Sequence, residues 1–440
     1  MESCFFIYPE MNVELVNTGS ELMLGRVLNT HQQWLCRRLA DLGHVVTRQV
    51  AIADTGSEIQ TAVREALGRA DLIITTGGLG PTSDDITREL IAELLGKKLV
   101  ANPTVLAHIE NFFAKRGRPR PQKTDVETFV PEGAEVFLNA TGTAPGLAMK
   151  LRCRSADWGA EPQTSPSTLI DRPQWLVMLP GPPRELRPMF DAFVVPLLKR
   201  EFASEIFICR TLLTTGIGES RVQEWVEADL QPLVQRGLEI GYCARPGAVD
   251  VRLVASGATA EKLASEAEAV AQRILGEHIF GRDDDEIEQV VVKLLRQRKK
   301  TVALAESCTG GLLASRITDV PGASEVFLGG VVSYANSAKE NYLGVSSGTL
   351  AVHGAVSEAV ASEMAVRTRE KFGSDFAIAV TGIAGPAGGT PEKPVGTVFI
   401  ALASAGGVDV KRLLNVWDRM TFKQVTATQA LEWLRRAVSA

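Results

Sequence analysis

Val302-Ala303-Leu304-Ala305-Glu306-Ser307-Cys308-Thr309-Gly310-Gly311-Leu312-Leu313-Ala314 is the stretch on which the reading of this chain turns. It opens as an apolar run of strand length. Glu306 and Ser307 turn it polar, and Thr309-Gly310-Gly311 makes it small and hydroxylic. Leu312-Leu313-Ala314-Ser315-Arg316-Ile317 then has helical spacing. A buried strand therefore runs into a loop that opens a helix. N–H groups at a helix start lack intrahelical partners, so with Ser307 and Thr309 beside them they would suit an anion such as phosphate. The plainer reading is an ordinary junction in which a hydroxyl caps the helix.

Outward from this stretch the pattern repeats. Downstream, residues 331–334 read as a strand and Asn336 as the cap of a helix over 337–343. An amphipathic helix is expected at 357–372, and a strand at 376–380 that ends in Thr381-Gly382-Ile383-Ala384-Gly385-Pro386. Strands at 395–403 and 411–416 and a helix at 421–438 close the domain. In the front part, strands at 12–18, 44–53, 71–76 and 175–179 alternate with helices. The third runs into Gly77-Gly78-Leu79-Gly80-Pro81-Thr82-Ser83-Asp84-Asp85. Such alternation predicts mostly parallel α/β sheets with functional loops at the carboxyl ends of the strands. Residues 206–280 break the rhythm: strand, helix, hairpin and helix make a small α+β module. Three domains follow, 11–200, 206–280 and 286–440. Residues 1–10 read as an extension or a misassigned start, and 152–172 as a polar surface excursion.

The totals remove several functions. The chain has 440 residues and net charge −5, with no long basic block to meet nucleic acid. Its six cysteines and five histidines are scattered, without Cys-x-x-Cys or His-Glu-x-x-His, which argues against a disulfide scaffold and a zinc hydrolase. No apolar run spans a membrane and the start is not a signal peptide, so a reduced cytoplasm is expected.

Chemistry has three candidate places. Ser324, Tyr334 and Lys339 offer a serine activated by a lysine with tyrosine as proton relay. Lys339 in a first helical turn faces the positive end of the dipole, which lowers its pKa towards that of a base if it is also buried. Ser324 reads equally as the cap of the helix after Pro321-Gly322. Cys308 is a rival nucleophile, with an inert buried thiol as the default. In the front domain, Asp84 and Asp85 stand behind a Gly-rich loop. They read as helix-start acids, or as ligands of Mg²⁺ beside a bound diphosphate.

The motifs Ala305-Glu-Ser-Cys-Thr-Gly-Gly311, Thr318-Asp-Val-Pro-Gly322, Tyr334-Ala-Asn with Lys339, His353-Gly-Ala-Val-Ser357, Thr381-Gly-Ile-Ala-Gly-Pro386 and Pro391-Glu-Lys-Pro-Val-Gly-Thr397 together resemble the CinA competence-damage-inducible family. Thr18-Gly-Ser-Glu-Leu-Met-Leu-Gly25, Gly77-Gly-Leu-Gly-Pro81, Gly142-Thr-Ala-Pro-Gly146 and Leu179-Pro-Gly-Pro-Pro183 extend the likeness to the front domain. The resemblance implies a molybdopterin-binding-like α/β domain, a KH-like module and a C-terminal α/β amidohydrolase. The implied reaction converts nicotinamide mononucleotide to nicotinate mononucleotide and ammonia, without a cofactor. Carried over, Ser324 is the nucleophile, with Tyr334 and Lys339 activating it and Ser307 as the rival hydroxyl. Ser307, Thr309, Gly310, Thr381, Gly382, Gly385 and Arg419 hold the nucleotide. Arg419 lies in Trp417-Asp-Arg, where the family has Gly-Asp-Arg. For the front domain the likeness implies a metal-dependent ADP-ribose pyrophosphatase using Gly77, Gly78, Gly80 and Thr82, with Mg²⁺ or another divalent metal at Asp84 and Asp85. A homodimer is expected. The KH-like module lacks a basic Gly-x-x-Gly, so RNA is not an expected ligand. The alternative is a non-catalytic nucleotide- or pterin-binding scaffold.

Overall fold

The computed structural model describes residues 11–151, 174–202 and 206–439. The extension 1–10 and the polar excursion lie outside them. Two compact units divide the chain, one ending at Phe207 and one beginning at Ile208.

The N-terminal unit is an α/β layer structure. Its strands are β1 (Val13–Thr18), β2 (Val46–Ile52), β3 (Leu72–Thr76), β4 (Leu99–Ala101), β5 (Phe129–Pro131), β6 (Glu135–Phe137), β7 (Gly146–Leu151) and β8 (Gln174–Leu179). Six form one sheet in the order β2-β1-β3-β8-β7-β6, and β4 pairs with β5. The four strands from β2 to β8 run parallel; β7 and β6 are antiparallel. The central strands β1, β3 and β8 are buried along their whole length because helices cover both faces. Val13, Leu15, Leu72, Ile74 and Val177 point into one core, and Val16, Ile73, Leu176 and Met178 into the other. That alternation is the period-2 geometry of a strand.

The C-terminal unit holds two sheets. The first carries β9 (Phe207–Thr215), β10 (Glu239–Arg245), β11 (Ala248–Ser256) and β12 (Ile279–Arg282), ordered β10-β11-β9-β12. Pro246-Gly247 makes the β10–β11 hairpin. Helices Glu219–Val234 and Ala260–Leu275 cover it through Val222, Val226, Leu263 and Ala267.

The second sheet carries β13 (Val302–Glu306), β14 (Phe327–Val332), β15 (Phe376–Gly382), β16 (Thr397–Ser404) and β17 (Gly407–Leu414), ordered β14-β13-β15-β16-β17. β14, β13 and β15 are parallel; β16 and β17 return antiparallel. Leu304 faces helices Ile287–Arg298, Leu312–Thr318 and Arg419–Ser439, while Ala305 faces Glu358–Phe372. Register then places the loops: Glu306 stands opposite Val332 on one side and Val380 on the other. The loops after all three strands therefore open at one edge.

Candidate active site

Lys339 lies 32 residues from Ser307 in sequence, and the sheet brings them together. The chain leaves β14 through Ser333 and Tyr334, makes one helical turn, Asn336–Ala338, and widens into a π-turn, Lys339–Leu343. Asn336 is the first helical residue and not the cap, which is Ala335. Lys339 is 1% exposed. Its Nζ donates to Ser333 O at 2.7 Å, Ser307 Oγ at 3.1 Å and Tyr334 O at 3.4 Å. All three acceptors are uncharged. An ammonium without a counter-ion is costly in such a place, and burial pulls the Lys339 pKa below its ordinary value. A charge on Cys308 would raise it again. The Cys308 thiol is pushed up to about 12, chiefly by burial, so that charge is absent at neutral pH. Burial thus holds Cys308 in its thiol form, and burial is the leading cause of the lowered pKa at Lys339.

Ser324 lies elsewhere. It sits in a short 3₁₀ turn, Ala323–Glu325, before β14, exposed to solvent. Phe327 is in register with Val302, at the amino end of the sheet. Five residues of strand at ~3.3 Å each, roughly 16 Å, therefore separate Ser324 from the edge where Lys339 stands. The structure does not bring Ser324 to Tyr334 and Lys339, and the hydroxyl it presents to Lys339 is that of Ser307.

The expected anion cup is also different. Glu306 closes β13 with its carboxylate 1% exposed. It accepts from the N–H groups of Gly311 at 2.9 Å, Leu313 at 3.1 Å and Ala314 at 2.7 Å. The chain's own anion thus occupies the helix start that would have met a phosphate. Gly310 N donates to Ser307 O and Ser307 N to Val380 O, which holds the loop against β15. The sequence signal was an acid ending an otherwise apolar strand.

A cavity of about 200 Å³ opens over this loop, lined by Ser307, Lys339, Tyr334, Asn336, Thr381 and Arg419 among others. Ala355, Val356, Gly382, Ala384 and Cys308 complete the wall; Asn336, Ala355, Val356 and Ala384 lie inside the motifs quoted from the sequence but were not expected as site residues. Thr309 and Gly310 are not among its lining residues. Thr309 is fully buried and its hydroxyl finds no partner. Thr381 Oγ1 donates to Ala355 O at 2.8 Å. Gly385, which would drive a side chain into Val395 at 2.7 Å, presents its carbonyl to Arg419 Nη1 at 2.8 Å. Arg419 Nη2 donates to the Tyr334 hydroxyl at 2.5 Å. Tyr334 therefore orients Arg419 and is not hydrogen-bonded to Ser307 or Lys339 through its phenol. Trp417, exposed beside it in sequence, does not prevent Arg419 from reaching the cavity wall.

In the N-terminal unit, Gly77 lies at φ +100 and a side chain there would meet Thr18 Oγ1 at 2.7 Å. Gly78 is pressed against Thr87. A side chain at Gly80 would meet Asp85 Oδ2 at 2.6 Å. Asp85 accepts from Thr82 N at 3.0 Å and from the Thr82 hydroxyl. Asp84 is fully exposed, its pKa held low by the Thr82 side chain. Among the described residues no group of three or more His, Cys, Asp or Glu is placed to hold a metal. With Asp85 committed to its own loop, the pair does not fit a preformed divalent-cation site. Nearby, Glu127 is buried with Oε1 accepting from Thr143 Oγ1 at 3.0 Å and Oε2 unpartnered.

No helix among the described residues is long and apolar enough to cross a membrane. Residues 284–438 match the CinA C-terminal domain, 14–200 the domain described as "Probable molybdopterin binding domain", and 209–281 the damage-inducible protein CinA KH domain. A CinA-like protein of Akkermansia muciniphila is 42% identical over 426 residues, covering 97% of each chain. A CinA-like protein of Dictyoglomus thermophilum is 38% identical over 431 residues, covering 97% of this chain and 99% of its own. The solved competence/damage inducible protein CihA of Agrobacterium tumefaciens is 38% identical, covers 35% of this chain and 94% of its own, and superposes with a TM-score of 0.34. At 42% identity across 97% of its length, this chain belongs to the CinA family.

Proposed function

We propose that the C-terminal domain is an amidohydrolase that converts nicotinamide mononucleotide to nicotinate mononucleotide and ammonia, with Ser307 as nucleophile and Lys339 as base. The observation that carries this reading is the 3.1 Å contact between Lys339 Nζ and Ser307 Oγ, in a buried setting where the amine meets only uncharged acceptors, beside a cavity. A lysine whose pKa is lowered by burial supplies a neutral amine. The amine takes the Ser307 proton as Oγ attacks the amide carbon. The resulting ammonium returns the proton to the departing nitrogen, so the C–N bond breaks with release of ammonia. Water, deprotonated by the same amine, then cleaves the serine ester, and the proton goes back to Oγ. Arg419 supports the wall on which the nucleotide rests.

Ammonia release from nicotinamide mononucleotide tests the reading. The wild type is expected to turn over, Ser307→Ala to lose about 10²- to 10⁴-fold in kcat, and Ser324→Ala to stay within about 2-fold. A silent wild type that still binds the nucleotide supports the scaffold alternative instead. Full activity in Ser307→Ala returns the nucleophile to another hydroxyl.

A further inference from the structure

As Ser307 Oγ attacks an amide carbon, negative charge gathers on the carbonyl oxygen. A donor aimed at that oxygen holds the transition state more tightly than the substrate. The helix-start N–H groups beside Ser307 are not free to serve, because Gly311, Leu313 and Ala314 give theirs to Glu306. The side chains of the cavity wall are left. Lys339 is the base. The Thr381 hydroxyl gives its proton to Ala355 O at 2.8 Å. Arg419 commits Nη1 to Gly385 O and Nη2 to Tyr334 Oη, which also holds the phenol at Arg419. The Cys308 thiol is a weak donor.

Asn336 remains. It lines the same cavity and is exposed. An asparagine serves a helix best as its cap. Here Ala335 is the cap, and the Asn336 carboxamide makes no hydrogen bond among the described residues. Helix stability gives no reason for this placement. The site gives one: Asn336 stands three residues before Lys339, a spacing that sets two side chains on one face of a helical turn. Lys339 in turn meets Ser307 Oγ at 3.1 Å. A carboxamide carries two N–H donors and an acceptor without a charge. It can give one N–H to the substrate carbonyl while its Oδ1 accepts from the substrate NH₂ group.

We propose that Asn336 is a catalytic residue, the donor that reads the carboxamide of the substrate and stabilises the oxyanion formed on it. The inference rests on the amidase reading and adds to it the group that meets the developing charge.

Ammonia release from nicotinamide mononucleotide and from its thioamide analogue provides the test, since sulfur is a weak acceptor where the carbonyl oxygen stood. Asn336→Ala is expected to lower kcat on the amide about 10²- to 10³-fold, with KM within about 3-fold of wild type. Asn336→Asp, which keeps the shape and loses the donors, should be no faster. Wild type should be slower on the thioamide than on the amide, and that gap should shrink to about 3-fold or less in Asn336→Ala. A kcat in Asn336→Ala within about 3-fold of wild type overturns the assignment. So does a large loss that leaves the oxygen-to-sulfur gap at its wild-type size, because it marks a structural role. Closure of the gap in Tyr334→Phe instead of Asn336→Ala moves the donor to the phenol and overturns it too. A wild type that releases no ammonia is a separate result: it removes the amidase reading, and this inference falls with it.

Discussion

Each unit buries one ionisable side chain against a hydroxyl, and the two are of opposite sign. Lys339 in the C-terminal unit meets Ser307; Glu127 in the N-terminal unit meets Thr143. Burial drives both towards their neutral forms, lowering the lysine and raising the carboxyl to about 7. Lys339 faces a cavity and three uncharged oxygens. Glu127 has Arg88, Asp85 and Glu185 within electrostatic reach, and their effects pull in different directions. A neutral amine beside a hydroxyl is a base waiting for a proton. A half-protonated carboxyl among like charges is first a stability term. Burial alone does not announce catalysis; the partner and the open space decide it.

Removing the lysine gives the largest effect. Lys339→Met is expected to lose about 10²- to 10⁴-fold in kcat for ammonia release. It should do so while the fold survives, since Lys339 has no counter-ion that its removal would leave buried and unpaired. Lys339→Arg should be equally inactive because a guanidinium does not release its proton. In the wild type, activity should rise with pH as it passes through the lowered lysine pKa, since only the neutral amine accepts a proton. Activity in Lys339→Arg above a tenth of wild type would show that the base lies elsewhere.

Glu306 comes next, and it sharpens the contrast from the side of structure. Three N–H groups converge on one buried carboxylate, and hydrogen bonds to a charged group are each worth ~1.5–3 kcal/mol. Glu306→Ala leaves those donors without their partner and should cost about 3 kcal/mol or more in chemical denaturation. Glu306→Gln, which keeps one carbonyl oxygen, should fall between it and wild type. A midpoint unchanged in Glu306→Ala would mean that the helix start is satisfied in some other way.

These residues also mark where sequence reading stops. The sheets were legible because β13, β15 and the front strands are apolar runs bounded by Gly-rich turns, and turn position follows from strand polarity. Lys339 and Arg419 were legible as chemistry at fixed offsets from motifs. The choice between Ser307 and Ser324 was not, because both hydroxyls follow helix-start signals and only strand register separates the two ends of a sheet. Glu306 looked like the end of a strand, and its service to three N–H groups depends on a loop closing back on it. Tyr334 pairing with Arg419 joins residues 85 apart in sequence, a distance over which no periodicity speaks.

Glu127→Gln gives the smallest effect, and it tests the other half of the comparison. In the folded chain this carboxyl titrates at about 7, against 4.5 for the ordinary group. Between those values the folded state holds a proton that the unfolded chain has released. Stability must therefore fall as pH rises from about 4.5 to 7 and level off above. The burden reaches up to about 3 kcal/mol on the alkaline side. Glutamine keeps an acceptor for the Thr143 hydroxyl and has no charge to bury. The variant should match wild type near pH 4 and protect the β3 amides better than wild type at pH 8, as read by hydrogen exchange in the full chain. If wild type proves the more protected at pH 8, Glu127 is ionised and paired in the folded state, as Arg88 nearby would allow. The two buried groups would then differ in kind: a lysine held neutral for chemistry, and a carboxylate held charged for structure.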